Sequence, residues 1–416
     1  MRKELGRGKL IYFMFKIDDI QLKIIKDSRE EDTLEAKMIS GSFEAVSSVP
    51  KGKSRGAREA SSLNPQEALD KFRQIKPKLL KQEYGSIFDF DNFLIKLTGA
   101  SNLTLVLSQT FSRLISKILS LELWQYLREE LLIIAPELKK QLLKYRSPYF
   151  LFNVINGGAH APYGPKIQEY LLIPKIDNPK VSLEIAEIFF AGLKEYFLKE
   201  YGNNKFGDEG GLLISEINYE KPLEIMTEVQ HELRLEKNVS FGLDVAATNF
   251  YIRANNSYSL WLDQDILANN LLDIYLDFKK KYHLFSLEDP FEENDFINFT
   301  KLTRICGREP IIIGDDLTTT NPIFITKAIE NKSISGVIIK PTQIGTISAT
   351  LQAIALAQKN NIKVIISHRS AETLDNFIAD LAFASGAFGL KAGAPQPEER
   401  MVKYERVIEI INKIKN

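Results

Sequence analysis

Two patterns of hydrophobic and polar positions divide the chain. Residues 17–49 alternate in short runs, such as IDDIQLKII and GSFEAVSSV, and this pattern predicts a small antiparallel meander. Helical stretches follow, because Asn64 and Pro65 make a good N-cap and first-turn pair and residues 103–134 carry apolar residues at helical spacing. Strands followed by helices predict an α+β domain that ends near residue 140.

The pattern changes after residue 146. Short apolar runs alternate there with helix-length amphipathic segments, of which residues 183–201 and 265–282 are the clearest. This alternation is typical of βα units around a parallel sheet, and residues 146–416 have about the length of a β/α barrel. The predicted fold class is therefore α/β, with a C-terminal β/α barrel of TIM type (residues 146–416), an N-terminal α+β capping domain (residues 16–140) and an N-terminal extension (residues 1–15).

Composition and charge exclude several classes of partner. Lys plus Arg and Asp plus Glu number 54 each, so no overall field draws the chain to nucleic acid or to an anionic membrane. No apolar run is long enough to cross a bilayer, and the first residues lack the apolar core and cleavage site of a signal peptide. Met14 is an alternative start, and the single Cys306 cannot form an internal disulfide. We therefore expect a cytoplasmic protein without membrane insertion.

Six consecutive predicted strands of the barrel each end at an ionisable residue. These residues are Asp244, Glu288, Asp315, Lys340, His368 and Lys391. One such residue alone is more often a solvated turn residue, but six at the same place relative to their strands are not explained in that way. Because the carboxyl ends of barrel strands converge on one mouth, we expect these side chains to meet in a single site. Three carboxylates without a soft ligand favour Mg²⁺ over Zn²⁺.

The two lysines predict acid–base chemistry beside that metal. A lysine has an ordinary pKa of about 10.4, which must fall by about two to three units before it acts as a base near neutrality. A second ammonium and a dication nearby both favour that change. His160 and His368 lie in Gly- or Ser-flanked loops near other candidates, whereas His231 and His283 are expected to be structural or surface residues. The GDEGG string at 207–211 is either a tight turn or part of the site.

A series of short motifs resembles the enolase family. In chain order they are NVINGGAHA (153–161), QEY (168–170), GDEGG (207–211), GLDVAATNFY (242–251), LEDPF (287–291), GDDLTTTNP (314–322), IKPTQIGT (339–346), SHRSAET (367–373) and KAGAP (391–395). DSRE at 27–30 and GSFEAVSSVPKG at 41–52 extend the resemblance over nearly all of the chain after residue 16. Each string is weak evidence alone, but the ordered series at family-like spacing is specific and implies an enolase-type barrel.

The resemblance implies phosphopyruvate hydratase activity, the reversible Mg²⁺-dependent dehydration of 2-phosphoglycerate to phosphoenolpyruvate in glycolysis and gluconeogenesis. It implies that Lys340 takes the proton from carbon 2 and that Glu209 protonates the departing hydroxyl. Glu169 and His160 would lie in the hydrogen-bonding surroundings of Glu209, and Lys391 would stabilise charge on the substrate carboxylate. A lysine base beside Mg²⁺ is the arrangement known for this superfamily.

The resemblance also implies the binding residues and the assembly. The implied substrate-binding set is Gln168, His160, Glu169, His368, Arg369, Ser370 and Lys391, of which Arg369 and Ser370 form the phosphate-binding pair. Two Mg²⁺ ions per site are implied, one held by Asp244, Glu288 and Asp315 and a second, binding with substrate, held in part by Ser54. A homodimer or higher homo-oligomer is also implied.

One departure from the family pattern leaves alternatives open. The loop at 50–56 reads PKGKSRG where the family typically has PSGASTG, so Lys51, Lys53 and Arg55 replace small neutral residues. These cations attract the phosphate, weaken the second metal by repulsion, or point into solvent. Residues 50–56 and 157–164 are the expected lids. The alternatives to an enolase are a diverged non-catalytic enolase-like binding protein and another dehydratase of the superfamily.

Overall fold

The computed structural model describes residues 3–5, 9–11, 14–52, 58–260 and 264–415. The predicted second-metal ligand Ser54 and the lid residues Lys53 and Arg55 lie outside the described residues. The predicted domain boundaries at 15, 140 and 146 stay predictions.

The amino-terminal part is an antiparallel meander covered by helices, as the alternating pattern predicts. Its elements are β1 (Lys3–Leu5), β2 (Lys9–Ile11), β3 (Phe15–Lys16), β4 (Asp19–Lys26), β5 (Asp32–Ser40), β6 (Phe43–Ser48), α1 (Pro65–Leu79), β7 (Glu83–Tyr84), α2 (Ile87–Leu97), α3 (Ser101–Ile118), α4 (Leu123–Ile134) and α5 (Lys139–Leu142). Strands β4, β5 and β6 pair in chain order, and β1 pairs with β2 and β3 with β7 in separate ladders.

Local sequence explains where these helices begin and what they bury. Helix α1 begins after Asn64, whose side chain accepts from the Glu67 N–H while the Glu67 carboxylate accepts from the Asn64 N–H, a capping box. Helix α3 is buried along most of its length because it packs on β5 and β6 and also contacts the barrel. At that second contact, Thr104 Oγ1 donates to the Gly345 carbonyl at 2.7 Å.

The rest of the chain forms a closed barrel surrounded by helices. Its elements are β8 (Tyr149–Asn156), β9 (Glu169–Pro174), α6 (Pro179–Tyr201), β10 (Leu212–Leu213), α7 (Lys221–Glu232), β11 (Val239–Asp244), β12 (Tyr251–Ile252), β13 (Ser257–Tyr258), α8 (Ala268–Tyr282), β14 (Ser286–Glu288), α9 (Phe296–Cys306), β15 (Ile311–Gly314), α10 (Pro322–Glu330), β16 (Gly336–Ile339), α11 (Pro341–Ile344), α12 (Ile347–Lys359), β17 (Lys363–Ser367), α13 (Phe377–Ala384), β18 (Gly389–Lys391) and α14 (Glu398–Lys415). Neighbouring strands run β8–β9–β11–β14–β15–β16–β17–β18 and back to β8, which closes the barrel and confirms the predicted fold class.

The second barrel strand departs from the predicted alternation of parallel strands and helices. Strand β9 is antiparallel to both of its neighbours, and Glu169 is paired with Asn156 on β8 and with Asp244 on β11. Residues 157–168 join β8 to β9 without an α-helix, and a direct reversal of this kind makes antiparallel neighbours. The parallel pairing predicted from this alternation does not hold for β9, and the reversal brings the first residue of β9 to the mouth of the barrel.

The barrel interior below the mouth is apolar. The side chains that fill it are Leu151, Leu171, Ile173, Phe285, Ile311, Ile313, Ile338 and Ile365. At the end remote from the mouth, Phe285 and Phe388 stack with ring centroids 5.8 Å apart. An interior filled with side chains leaves the strand ends as the place for chemistry.

The meander and α3 contact the barrel close to the mouth. The Ser28 N–H donates to the Glu372 carbonyl at 2.8 Å, and the Ser48 N–H donates to Asp375 Oδ2 at 3.0 Å. Arg113 on α3 donates to the same Asp375 carboxylate at 2.8 Å. None of the helices in the described ranges is both long and apolar enough to span a membrane.

Candidate active site

The ionisable residues predicted at the strand ends lie together at the carboxyl mouth. Asp244, Glu288 and Lys391 are the last residues of β11, β14 and β18. Asp315, Lys340 and His368 directly follow β15, β16 and β17. All of them except Glu288 line one cavity, which also contains Glu169, Glu209, His160, Gln168, Arg369 and Ser370. The two histidines expected outside the site are exposed, His231 beside Glu236 and His283 at the end of α8.

Lys391 is buried among three carboxylates. Its Nζ lies 2.9 Å from Asp244 Oδ2, 2.9 Å from Glu288 Oε2 and 3.0 Å from Glu169 Oε2. Burial disfavours the charged ammonium, but the surrounding carboxylates outweigh burial and hold the Lys391 pKa well above its ordinary value. The ammonium therefore stays charged and balances part of the negative charge of the mouth.

Lys340 contacts the other predicted metal ligand. Its Nζ donates to Asp315 Oδ2, and Gln343 Nε2 donates to Asp315 Oδ1 at 3.3 Å. Burial lowers the Lys340 pKa, but the charge of Asp315 outweighs burial, so the net shift is upward. In this arrangement Lys340 is an acid with its proton in place. Lys340 can act as a base only when Asp315 binds another partner in its place.

Glu209 lies between two histidines that line the same cavity. His160 Nδ1 is 3.6 Å from Glu209 Oε1, and His368 Nε2 is 3.4 Å from Glu209 Oε2. Asn153 Nδ2 also donates to Glu209 Oε2 at 2.9 Å. Burial favours the neutral acid, but the interactions with His368 and His160 outweigh burial and hold the Glu209 pKa well below its ordinary value.

The pKa values of the other two members of this group, His160 and Glu169, are shifted upward, opposite to that of Glu209. His160 Nδ1 is 3.3 Å from Glu169 Oε1. Burial lowers the His160 pKa, but the charges of Glu209 and Glu169 outweigh it and raise the pKa. For Glu169, burial together with the charge of Glu209 raises the pKa of the carboxyl. In this group the shifts favour protonation of His160 and Glu169 and ionisation of Glu209.

Arg369 lies on another wall of the cavity in a salt bridge. Its guanidinium pairs bidentately with Glu59, with Nη1–Oε2 at 3.0 Å and Nη2–Oε1 at 3.1 Å, and Nη1 donates to Thr342 Oγ1 at 3.2 Å. The Arg369 N–H donates to Glu372 Oε1 at 3.0 Å. The guanidinium can donate two parallel hydrogen bonds to the oxygens of an anion such as a phosphate, and in the structure the Glu59 carboxylate accepts them.

The predicted metal ligands can be tested against the charge of the site. Among the described residues, seven carboxylates and three lysine or arginine side chains line the cavity. Burial and the charge of Asp315 raise the pKa of the Asp316 carboxyl to about 7. The donors are all hard oxygens, and the carboxylates of Asp244 and Glu288 converge on a single ammonium. A surplus of buried carboxylates of this kind fits a divalent hard cation.

The geometry also distinguishes the carboxylates. Among the described residues, two groups have ligand atoms within 4.8 Å of one another, namely His160, Glu169 and Glu209, and Asp289, Asp315 and Asp316. The Asp289 carboxylate already accepts the N–H of Asp315 at 3.0 Å and the N–H of Asp316 at 2.6 Å, so it holds the loop. The predicted triad Asp244, Glu288 and Asp315 is not one of these groups. Asp244 and Glu288 contact Lys391, and Asp315 contacts Lys340.

Sequence reasoning missed several residues of the site. The most connected are Arg400, which donates to the 368–370 loop, Glu59, which pairs with Arg369, and Asn153, which donates to Glu209. Asn153 is the first residue of the NVINGGAHA motif, but the motif assigned no role to it. Arg400 and Glu59 lie in helical and loop contexts where the ordinary expectation is a solvated charge. Only the burial of Arg400, which is 0% exposed, and the ion pair of Glu59 with Arg369 reveal them.

A closed β/α barrel whose carboxyl mouth carries buried carboxylates, lysines and histidines defines an acid–base barrel enzyme. A sequence model described as "Enolase, C-terminal TIM barrel domain" matches residues 144–416. Over 96% of both chains, the protein is 34% identical to the enolase of Metallosphaera sedula and 33% identical to that of Sulfurisphaera tokodaii. It is 35% identical to the enolase of Saccharolobus solfataricus over the same shares.

The chain therefore belongs to the enolase family, as its motifs predicted. Its activity is that of the family, a phosphopyruvate hydratase and thus a lyase.

Proposed function

We propose that this chain dehydrates 2-phosphoglycerate reversibly to phosphoenolpyruvate in glycolysis and gluconeogenesis, with Lys340 as the base and Glu209 as the acid. The observation that carries the proposal is the single cavity that Lys340, Glu209 and Arg369 line together. This cavity brings together a lysine, a carboxylate with histidine neighbours and an arginine that can bind a phosphate. These are the three functions that a β-elimination from a phosphorylated acid requires.

Lys340 would remove the proton from carbon 2. Its ammonium is held by Asp315 in the structure, and the nearby charges of Arg369 and Lys391 oppose its protonation. Engagement of Asp315 by another cation would leave Lys340 with those repulsive neighbours, which lower its pKa toward that of a working base. Lys391 would remain charged and stabilise the substrate carboxylate as negative charge develops there.

Glu209 would exchange a proton with the 3-hydroxyl group. The ionised form favoured by its surroundings suits the hydration direction, in which a carboxylate takes a proton from water. In the dehydration direction the proton would come from the cluster that Glu209 forms with His160 and Glu169. Reversal of the roles of one residue in the two directions follows from microscopic reversibility.

Arg369 and Ser370 would bind the phosphate, and His368 and Gln168 would complete the substrate contacts. The phosphate would take the Arg369 fork now paired with Glu59. Gln168 is already oriented, because its Nε2 donates to Asp244 Oδ2 at 3.4 Å and its Oε1 accepts from Asn249 at 3.2 Å. These contacts place an amide beside the carboxylates of the mouth.

Mg²⁺ is the cofactor that we propose, with two ions in each site. Asp244, Glu288 and Asp315 would hold the first, and Ser54 would help to hold the second, which binds with substrate. When bound, Mg²⁺ supplies concentrated positive charge against the substrate carboxylate and phosphate. We also propose a cytoplasmic location, in accord with the single Cys306, and a homodimer or higher homo-oligomer.

The first test is the Mg²⁺-dependent rise in ultraviolet absorbance as purified protein converts 2-phosphoglycerate to the conjugated enol ester. Turnover that is abolished by a chelator and by Lys340→Ala would support the proposal. A folded, metal-binding protein without turnover would instead support the non-catalytic alternative, and thermal unfolding with and without Mg²⁺ identifies that case.

A further inference from the structure

Arg400 is a buried arginine that connects two loops of the mouth. It lies in the first turn of α14 and is 0% exposed. Its guanidinium donates to the carbonyl oxygens of Arg369 at 2.9 Å and Ser370 at 2.7 Å. It also donates to the carbonyl of Asp208, the residue before the acid Glu209, at 3.1 Å. We call residues 368–370 the phosphate loop and residues 207–211 the acid loop. The side chain of Arg400 therefore joins the backbones of these two loops.

The same guanidinium determines which nitrogen of His368 carries the proton. Arg400 Nη1 lies 2.5 Å from His368 Nδ1, and an arginine can only donate, so Nδ1 must accept. In a neutral imidazole the proton is then on Nε2, which faces Glu209 Oε2 at 3.4 Å. Burial lowers the pKa of His368 to about 4, so the ring is neutral near pH 7. His368 thus presents an N–H to the acid carboxylate.

A third loop of the mouth packs on the aliphatic part of Arg400. Gly393, in the KAGAP string, has a φ of +95°, and a Cβ there would lie 2.8 Å from Arg400 Cδ and 2.9 Å from the Glu209 carbonyl. The next residue, Ala394, donates its N–H to the Glu209 carbonyl at 3.0 Å. The loops that carry Glu209, His368 and Lys391 therefore all meet at Arg400.

We propose that Arg400 is a positioning residue for catalysis: it holds His368 as the Nε2–H tautomer directed at Glu209, and it sets the distance between the acid loop and the phosphate loop. This inference rests on the proposed role of Glu209. A merely structural arginine would contribute to stability alone, whereas a positioning arginine also controls the hydrogen bond that Glu209 receives.

The direct test is nitrogen NMR of the full chain labelled with ¹⁵N in the histidine rings and without substrate. The protein has four histidines, and the His368 signals are assigned by their loss in His368→Gln. We expect an unprotonated Nδ1 and a protonated Nε2 on His368. A protonated Nδ1, or one averaged signal from both tautomers, would overturn the proposal. Because no turnover is needed, this result is independent of whether 2-phosphoglycerate is the substrate.

The kinetic test compares Arg400→Gln and Arg400→Lys with Arg406→Lys. Arg406 lies on the same helix and pairs with Asp380 and Glu122, away from the cavity, so it is the matched control. We expect Arg400→Gln to lower kcat about 100-fold with KM changed less than about threefold, and Arg400→Lys to recover part of kcat, because acid–base catalysis contributes about 10²–10⁴-fold. The control should keep its kcat.

A kcat within about threefold of the parent in Arg400→Gln would contradict the proposal, as would a loss of activity that follows only the unfolded fraction in thermal unfolding. If Arg400→Gln does not fold, the tautomer of the unmodified protein and the Arg400→Lys variant decide the question. In Arg400→Lys, whose ammonium can also only donate, the Nε2–H tautomer should persist while the fold is retained.

Discussion

The charged side chains at the mouth form ion pairs with one another instead of being hydrated. Lys391 contacts Asp244, Glu288 and Glu169 at about the same distance, and all four side chains are nearly inaccessible. Removing one partner of a buried ion pair leaves an uncompensated charge, whereas an exposed pair loses little. Substitution at Lys391 should therefore affect stability and metal dependence together.

Replacement of Lys391 by Met should destabilise the metal-free protein by about 3–5 kcal/mol, because three buried carboxylates lose their ammonium. Added Mg²⁺ should recover part of this loss, since a dication can balance the same carboxylates. The measurement is urea unfolding in chelator and in Mg²⁺.

The matched control for that experiment is Lys403→Met. Lys403 is also buried and lies 3.0 Å from Glu372 Oε2, but its partner is outside the cavity lining. The free energy of unfolding that Lys403→Met loses should be the same with and without Mg²⁺. Equal losses in both conditions for Lys391→Met would contradict the proposed metal site.

At the scale of elements, strand direction decides which residues reach the mouth. Six ionisable residues arrive at the carboxyl ends of parallel strands, as their positions predicted. Glu169 arrives at the amino end of a strand, because β9 is antiparallel to β8 and β11. The loop after β6 reaches the same mouth from the meander, where Gly52 lies against Arg369.

Gly52→Ala should raise KM for 2-phosphoglycerate about tenfold, equivalent to about 1.4 kcal/mol. A Cβ at Gly52 would lie 2.0 Å from Arg369 Nη2, so the guanidinium has to move from its position. Steady-state kinetics measures the effect. Gly99→Ala is the control, because a Cβ there meets nothing within 4 Å. An unchanged KM in Gly52→Ala would show that Arg369 does not bind the phosphate from this position.

At the scale of the whole molecule, two buried acids outside the mouth make stability depend on pH. Burial raises the pKa of the Glu130 carboxyl to about 7 and that of Asp91 to about 6. The folded protein then binds protons more tightly than the unfolded chain. The stability from these groups is fully present below the ordinary carboxyl pKa and is lost as pH rises toward 7.

Glu130→Gln should remove the larger part of this pH dependence. The free energy of unfolding of the variant minus that of the parent should rise by about 1–3 kcal/mol from pH 5 to pH 8. Urea unfolding at four pH values measures the gain. The exposed neighbour Glu129→Gln is the control and should follow the parent, and parallel curves for Glu130→Gln and the parent would contradict the assignment.

The sequence predicted the fold and most of the site because both depend on local properties. The run of apolar residues before Asp244, Lys340 or Lys391 locates a strand and its end, and in a barrel these ends share one mouth. The motif series then predicted the family, which the comparisons confirmed. What the pattern did not reveal were partners distant along the chain, such as Glu59 for Arg369 and Arg400 for His368.

By itself the sequence determined the order of helices and strands, the ionisable residues at six strand ends and the family, since periodicity and motif spacing are written along the chain. Only the tertiary structure decided the antiparallel direction of β9, the ammonium of Lys391 among its carboxylates and the burial of Arg400. These depend on contacts between residues far apart in sequence and on the exclusion of water around charges. Neither quantity has a local signature, because the same residue types are solvated on most surfaces.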